Sequence, residues 1–344
     1  MRVALVCPYD LGRFGGVQDQ VLKLAVWLGD AGHEAWVVGP GEGPEGTISV
    51  GGTTVVKANG SSTPIALSPM AAGRVLSAVG GADVVHVHEP LMPFVSLAAT
   101  LAVKVSSVGT FHADAPRGVR WGYRRWFSAA GGRVGRLDEV TAVSPVAAAG
   151  LTAIPHDIVP NGLDVAAYGA GRGKDPGSVM FLGRDDPRKG LDVFVAAAAE
   201  IAAGTKDVSF VVAGTDRKEK VGPIEFVGRV SEATKRDLLA SAEVFVAPHR
   251  SGESFGIVVA EAMAAGCAVV ASALPAFAYV LGDAGLLVSP GDPHGVAEAV
   301  VRLLADDALR RSHQAAAVAR AARFDRAVVV DGYLAVYRRA MASV

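Results

Sequence analysis

The chain has 344 residues, 51% of them hydrophobic, with 33 basic against 34 acidic side chains and a formal net charge of −1. This composition fills a large core and excludes a disordered chain. The near-neutral balance excludes a dedicated nucleic-acid binder, so any anion binding has to come from local clusters. The length exceeds what one core usually supports, which predicts two domains.

The N-terminal half opens on a buried strand, RVALVCPY, with no apolar leader or cleavage signal behind its single Arg. That start, and the lack of an 18-residue apolar run, predict a cytoplasmic protein without a spanning helix. Surface attachment to a membrane remains compatible with both. The strand runs through Tyr9 and Asp10 into a glycine-rich turn, Gly12, Gly15 and Gly16, before the helix GVQDQVLKLAVWLGDAG. Such turns let backbone N–H groups reach a phosphate, helped by the helix dipole. The spacing does not fit G-x-G-x-x-G, and the second strand, HEAWVVGP, closes without an acid, so a nicotinamide enzyme is disfavoured.

Strands DVVHVHEP, SSVGTFHA and DEVTAVS follow, with helical stretches between them. Continuous apolar strands alternating with helices predict a parallel, doubly wound α/β sheet. His112, just past the strand SSVGT, is a candidate sugar contact or acid/base. His86 and His88 share a strand face with Glu89 beside them, but no segment offers a third metal ligand, and no metal is expected. The thiols Cys7 and Cys267 both lie at apolar strands and read as buried and inert.

A Gly/Pro-rich, charged stretch at 168–178 reads as a linker, after which the βα pattern restarts. The predicted domains are therefore 1–168 with 327–344, and 174–326. Strand SVMFLGR leads into Arg184, Arg188 and Lys189 at a helix entrance, where two cations can neutralise a diphosphate leaving group. Strands VSFVVAGT and IEFVGRV follow, then a helix capped by Ser231. Strand EVFVAPH runs into a loop with Glu253 and a helix with Glu261 eight positions on. In open α/β sheets ligands bind outside the strand carboxyl ends, so both carboxylates can address one cleft.

The pair within HRSGESFGIVVAEAMAAG resembles the E-x7-E signature of the retaining glycosyltransferases of family four, which have the GT-B fold of two Rossmann-like domains facing a cleft. The segments VCPYDLGRFGGVQDQVLKLA, HVHEPLMPFVSLAA, GTFH, VPNGLDVAAY and FLGRDDPRKG extend the resemblance over both halves, in detail toward the actinobacterial phosphatidylinositol mannosyltransferases that add the first mannose. The resemblance implies a hexosyltransferase moving mannose from GDP-mannose to phosphatidylinositol or a related inositol phosphate lipid, at the cytoplasmic face of the membrane. It implies that Gly15 and Gly16 admit the donor diphosphate and sugar, and that Arg184 and Lys189 clamp the diphosphate, with Arg188 the alternative second cation. Glu261 then holds the ribose, Glu253 and His112 orient the sugar, and Tyr9, Asp10 and Gln18 face the acceptor. No cofactor beyond the nucleotide sugar is implied. The C-terminal segment 327–341 is expected to cross back onto the N-terminal half.

One departure concerns the membrane. The family's strongly basic helix is replaced here by residues 56–79 with only Lys57 and Arg74, and RGVRWGYRRWF (117–127) offers another basic and aromatic helical face. Another nucleotide sugar and acceptor, a sugar-nucleotide epimerase, or a binding module without turnover remain as alternatives.

Overall fold

The structure is a computed structural model that describes residues 1–13, 15–58, 61–114, 118, 121, 134–135, 137–152, 154–169 and 173–343. The chain forms two compact units, residues 1–162 with 326–344, and residues 163–325.

In the first unit, seven parallel strands stand in the order β3-β2-β1-β6-β7-β8-β9. They are β1 (Arg2–Val6), β2 (Glu34–Gly39), β3 (Thr47–Ser49), β6 (Val84–His88), β7 (Ser106–Phe111), β8 (Glu139–Ala142) and β9 (Asp157–Ile158). Strands β4 (Thr54–Ala58) and β5 (Ser61–Ile65) form a separate antiparallel hairpin that the alternating pattern did not announce. Helices α1 (Gly16–Asp30), α2 (Pro69–Ala78) and α3 (Val95–Ala102) make three of the crossovers. The apolar stripe of α1, with Val21, Leu24, Trp27 and Leu28, is buried among Val3, Leu5 and Val84.

In the second unit the order is β12-β13-β11-β10-β14-β15-β16. These are β10 (Asp175–Leu182), β11 (Ser209–Ala213), β12 (Lys218–Val221), β13 (Ile224–Gly228), β14 (Ala242–Ala247), β15 (Ala268–Ser272) and β16 (Leu286–Val288). All pair in parallel except the charged edge strand β12. Helices α4 (Leu191–Gly204), α5 (Glu232–Ser241), α6 (Ile257–Ala264), α7 (Pro275–Leu281), α8 (Pro293–Ala305) and α9 (Asp307–Ala321) accompany the sheet. Ser231 caps α5, accepting from the Thr234 amide at 3.1 Å.

The last helix, α10 (Arg326–Ala342), belongs to the first unit. It buries Val329, Val330, Tyr333, Leu334, Val336 and Tyr337 against that core, each aliphatic side chain stabilising by about 1.5–3 kcal/mol.

The first crossing between units falls at Gly162/Leu163, ahead of the glycine-rich stretch at 168–178. Residues 163–168 are committed to the second unit by real contacts. The Leu163 amide donates to the Phe324 carbonyl at 2.9 Å, and the Tyr168 hydroxyl donates to Glu261 at 2.8 Å. Gly162 stays with the first unit, its amide and carbonyl held by the Gln20 side chain. Glycine content reported backbone freedom, whereas the boundary is set by which core each side chain joins.

Candidate active site

Each sheet reverses its winding at one point, between β1 and β6 in the first unit and between β10 and β14 in the second. Ligands of doubly wound sheets bind beyond the strand carboxyl ends at such points. Most of the residues singled out in the sequence lie in the loops that leave these four strands.

In the first unit, the loop after β1 is braced from within. Asp10 is 8% exposed. Its Oδ1 accepts from the Gly12 amide at 3.0 Å and its Oδ2 from the Thr53 hydroxyl at 2.5 Å. Gln18, also buried, donates from Nε2 to the Asp10 carbonyl at 3.3 Å. Its amide lies so close under Gly15 that a Cβ at that position would collide with it, whereas Gly16 has open space around its Cα. Gly15 is extended and Gly16 starts α1, with no side-chain cap on its first amides. Tyr9 pairs by a backbone bridge with Ile65 of the hairpin.

Behind β6 lies a buried histidine network. His86 bonds Tyr337 of α10 through Nδ1 at 2.8 Å and Thr110 through Nε2 at 2.6 Å. The resemblance of His86 and His88 to a metal pair is thus accounted for by seating β6, β7 and α10 on one another. His88 Nδ1 meets His112 Nε2 at 2.8 Å, and the Asn161 side chain also hydrogen-bonds His112. Burial pushes His86 down to about 3 and His112 down to about 4, and drives His88 well below its ordinary value. All three rings are therefore neutral near pH 7. Glu89 sits at a left-handed φ of 49°. Its Oε1 accepts from the His112 amide at 2.8 Å and the Ala113 amide at 2.7 Å, which fixes the backbone that carries the His112 ring. Burial pushes its carboxyl up to about 7, against the opposing pull of the His112 and Ala113 amides.

In the second unit, the loops after β10 and β14 are stitched together. The Arg250 amide donates to the Arg188 carbonyl at 2.8 Å. Gly190, at φ 69°, lies where a Cβ would strike the Pro248 carbonyl, so only glycine allows this approach. Asp186 caps the 3-10 turn Pro187–Lys189 and takes Arg188 in a two-point pair at 3.1 and 2.7 Å. That pair holds the Asp186 carboxyl down to about 2. Lys189 Nζ lies 2.8 Å from Glu253 Oε2, with His249 Nε2 3.4 Å from the same oxygen. Arg184 makes no hydrogen bond or ion pair with any described residue. Arg188 is thus paired with Asp186 and Lys189 with Glu253.

Glu261 has partners of its own, different from those of Glu253. It is 4% exposed. Its Oε1 accepts from the Tyr168 hydroxyl at 2.8 Å and from Lys235 Nζ at 2.7 Å. Burial alone would lower the Lys235 ammonium, but the Glu261 and Glu232 carboxylates together outweigh it and raise the group. Burial first and then Glu261 raise the Tyr168 hydroxyl. Tyr168 and Lys235 are 93 and 26 positions from Glu261 in sequence. No local pattern links them, so sequence reasoning passed over both, as it did His249 and the clamp formed by Glu89. His249 had a local signal, since it ends a buried strand four positions before Glu253.

Among the described residues, no group of three His, Cys, Asp or Glu is placed to hold a metal ion. No helix among them is long and apolar enough to cross a membrane. Apart from Gly118 and Trp121, the basic and aromatic segment 117–127 lies outside the described residues.

Two Rossmann-like sheets with these strand-end clusters define a glycosyltransferase of the GT-B class. The same fold is found in the sucrose-phosphate synthase of Thermosynechococcus elongatus, at a TM-score of 0.76, 20% identity and full coverage of both chains (100% of each). The pattern of Glycosyltransferase Family 4 matches residues 14–167, and that of Glycosyl transferases group 1 matches residues 176–306. The phosphatidyl-myo-inositol mannosyltransferase of Mycolicibacterium smegmatis is 37% identical over 98% of this chain and 93% of its own length. That of Mycobacterium leprae is 35% identical over 98% and 96%. The chain belongs to the family-four glycosyltransferases, the family that includes these phosphatidyl-myo-inositol mannosyltransferases.

Proposed function

We propose that the protein transfers mannose from GDP-mannose to phosphatidylinositol, or a closely related inositol phosphate lipid, with retention of anomeric configuration. The observation that carries the donor half is the loop after β10. It carries Arg184, which makes no hydrogen bond or ion pair with a described residue, and, five positions on, Lys189 paired with Glu253, at the point where the sheet reverses. Two cations beside a carboxylate suit a sugar diphosphate. The cations neutralise the departing diphosphate, a charge that grows in the transition state, while the carboxylate takes sugar hydroxyls. Glu261, held by Tyr168 and Lys235, is assigned to the ribose. Its Oε2 accepts no hydrogen bond from a described residue and is the oxygen for that task.

The acceptor half is assigned to the first unit. Gly15 and Gly16, at the start of α1, are assigned to the donor, their backbone amides offered to its diphosphate and sugar, with the acceptor against the same loop. Tyr9 and Gln18 line the same loop, and Asp10 acts by holding its shape, both its oxygens being engaged inward. His112, neutral and positioned by Glu89 and His88, contacts the transferred sugar. The mannosyl group and the inositol lipid are carried over from the relatives named above. The protein then works as a peripheral protein at the cytoplasmic face of the membrane.

The test is turnover by purified protein. GDP-mannose, UDP-glucose and UDP-N-acetylglucosamine are each supplied with and without phosphatidylinositol vesicles, alongside Glu253→Ala. Mannolipid made only from GDP-mannose and lost in the variant is the expected result. A glycoside from another donor, or sugar released equally without vesicles, would sink the proposed donor and acceptor.

A further inference from the structure

His249 ends the loop-side of β14 and is 1% exposed. Neither of its ring nitrogens has a hydrogen-bond partner among the described residues. Buried polar atoms in native proteins are nearly always satisfied, and an unmet one costs about 1–3 kcal/mol. The ring does not drift in a loose space. Phe277 of α7 packs edge-on against it at 4.9 Å, and the carbonyl of Pro248, the preceding residue, is pinned against Gly190. Nε2 lies 3.4 Å from the Glu253 carboxylate without making the bond. The oxygen it faces, Oε2, is already taken by Lys189 Nζ at 2.8 Å. Burial, and then the Lys189 charge, push His249 down to about 3, so the ring is a neutral donor with one N–H to give.

One carboxylate oxygen thus has two donors, of which the stronger is a flexible cation with a second call on it. Resting on the donor-site reading above, we propose that His249 is a positioning residue for Glu253. When a nucleoside-diphosphate sugar draws Lys189 to its phosphates, His249 Nε2–H takes over the hydrogen bond to Glu253 Oε2 and keeps that carboxylate aimed at the sugar. Without the exchange, the departure of Lys189 would leave a largely buried carboxylate uncompensated at the moment its orientation matters. With it, the Glu253 charge stays paired by a rigid ring, and the lysine is free to meet the diphosphate.

The experiment follows the His249 ring in the full-length protein, labelled with ¹⁵N-histidine, with the resonance assigned by His249→Gln. In Lys189→Met without nucleotide, the ring N–H should move to a hydrogen-bonded position and exchange more slowly with water. GDP added to the wild type should move it the same way. In turnover, His249→Phe should lose roughly tenfold in kcat with donor KM little changed, the worth of one hydrogen bond to a charged group. His249→Gln, which keeps an amide donor, should recover most of that loss. A His249 signal unmoved in Lys189→Met overturns the proposal. A wild type that binds GDP with His249 unmoved overturns it while leaving the donor site intact. A wild type that binds neither GDP nor UDP overturns the donor reading itself, and with it the trigger for the exchange.

Discussion

Glu89→Gln should stabilise the protein by an amount that grows as pH rises above about 4.5 and is complete above about 7. The Glu89 carboxyl is raised by burial from its ordinary 4.5 to about 7. Between these values the folded state holds a proton that the unfolded chain has released, so stability falls as pH rises through that window. The difference of about 2.5 units, at about 1.4 kcal/mol each, makes the ionised form cost about 3 kcal/mol at pH 8. Glutamine removes that cost and keeps the local geometry, because the two amides of His112 and Ala113 both donate to one oxygen, Oε1, which the amide retains. The first unit comprises residues 1–162 and 326–344. For a unit of that size the gain is roughly 6–12 °C in Tm at pH 8 and close to nothing at pH 4.5. The four tryptophans, at 27, 36, 121 and 126, fall within the first unit's sequence range, and the buried Trp27 and half-buried Trp36 report its unfolding by fluorescence in urea or heat. A variant no more stable than wild type at pH 8, or equally stabilised at both pH values, would refute the reasoning.

The buried histidines act in the opposite sense. His86, His88 and His112 stay neutral in the fold below their ordinary 6.5, so each contributes stability above that value that is lost as pH falls toward its folded one. Urea midpoints should therefore rise between pH 5 and 7, more steeply in Glu89→Gln than in wild type; a flat profile in the variant would contradict three neutral rings. Arg184→Met should lower kcat/KM by about 10²–10³ while leaving the melting temperature unchanged, since the side chain holds nothing in the fold. An equal loss of stability would show that Arg184 is structural. Glu261→Ala should destabilise the second unit by roughly 1–3 kcal/mol, because it leaves the largely buried Lys235 ammonium with only the half-exposed Glu232 and removes the Tyr168 acceptor, and Tyr168→Phe should cost about 1 kcal/mol. Urea unfolding followed by circular dichroism measures both, and a Glu261→Ala protein of wild-type stability would remove Glu261 from its buried cluster.

Much of the scaffold was legible in the chain because it rests on local signals. Runs such as ALV, VVHV and VFVA can only be strands covered on both faces, and the alternation with Ala-rich helices leaves a parallel doubly wound sheet. The loops at the reversal points could be found for the same reason, since glycines and charges collect where those runs end. What could not be read were pairings that depend on how distant segments meet. Tyr168 looked like part of a linker until its hydroxyl was seen on Glu261. The partners of His86 and His88 were equally hidden: Tyr337 and Thr110 take the two nitrogens of His86, and His112 takes Nδ1 of His88. Asp10 carried no sign that both its oxygens serve its own loop. The carboxylate pattern in HRSGESFGIVVAEAMAAG announced two separate tasks but not the partners, which are Lys189 for Glu253 and Tyr168 with Lys235 for Glu261.

The most direct measurement is the structure of the first-formed product. Purified protein is given GDP-mannose in competition with UDP-glucose over phosphatidylinositol vesicles, and the lipid is recovered for mass spectrometry and proton NMR of its anomeric signal. A single α-linked mannose on the inositol ring is the predicted product. A β linkage, a glucose, or free sugar with unmodified lipid would contradict the account.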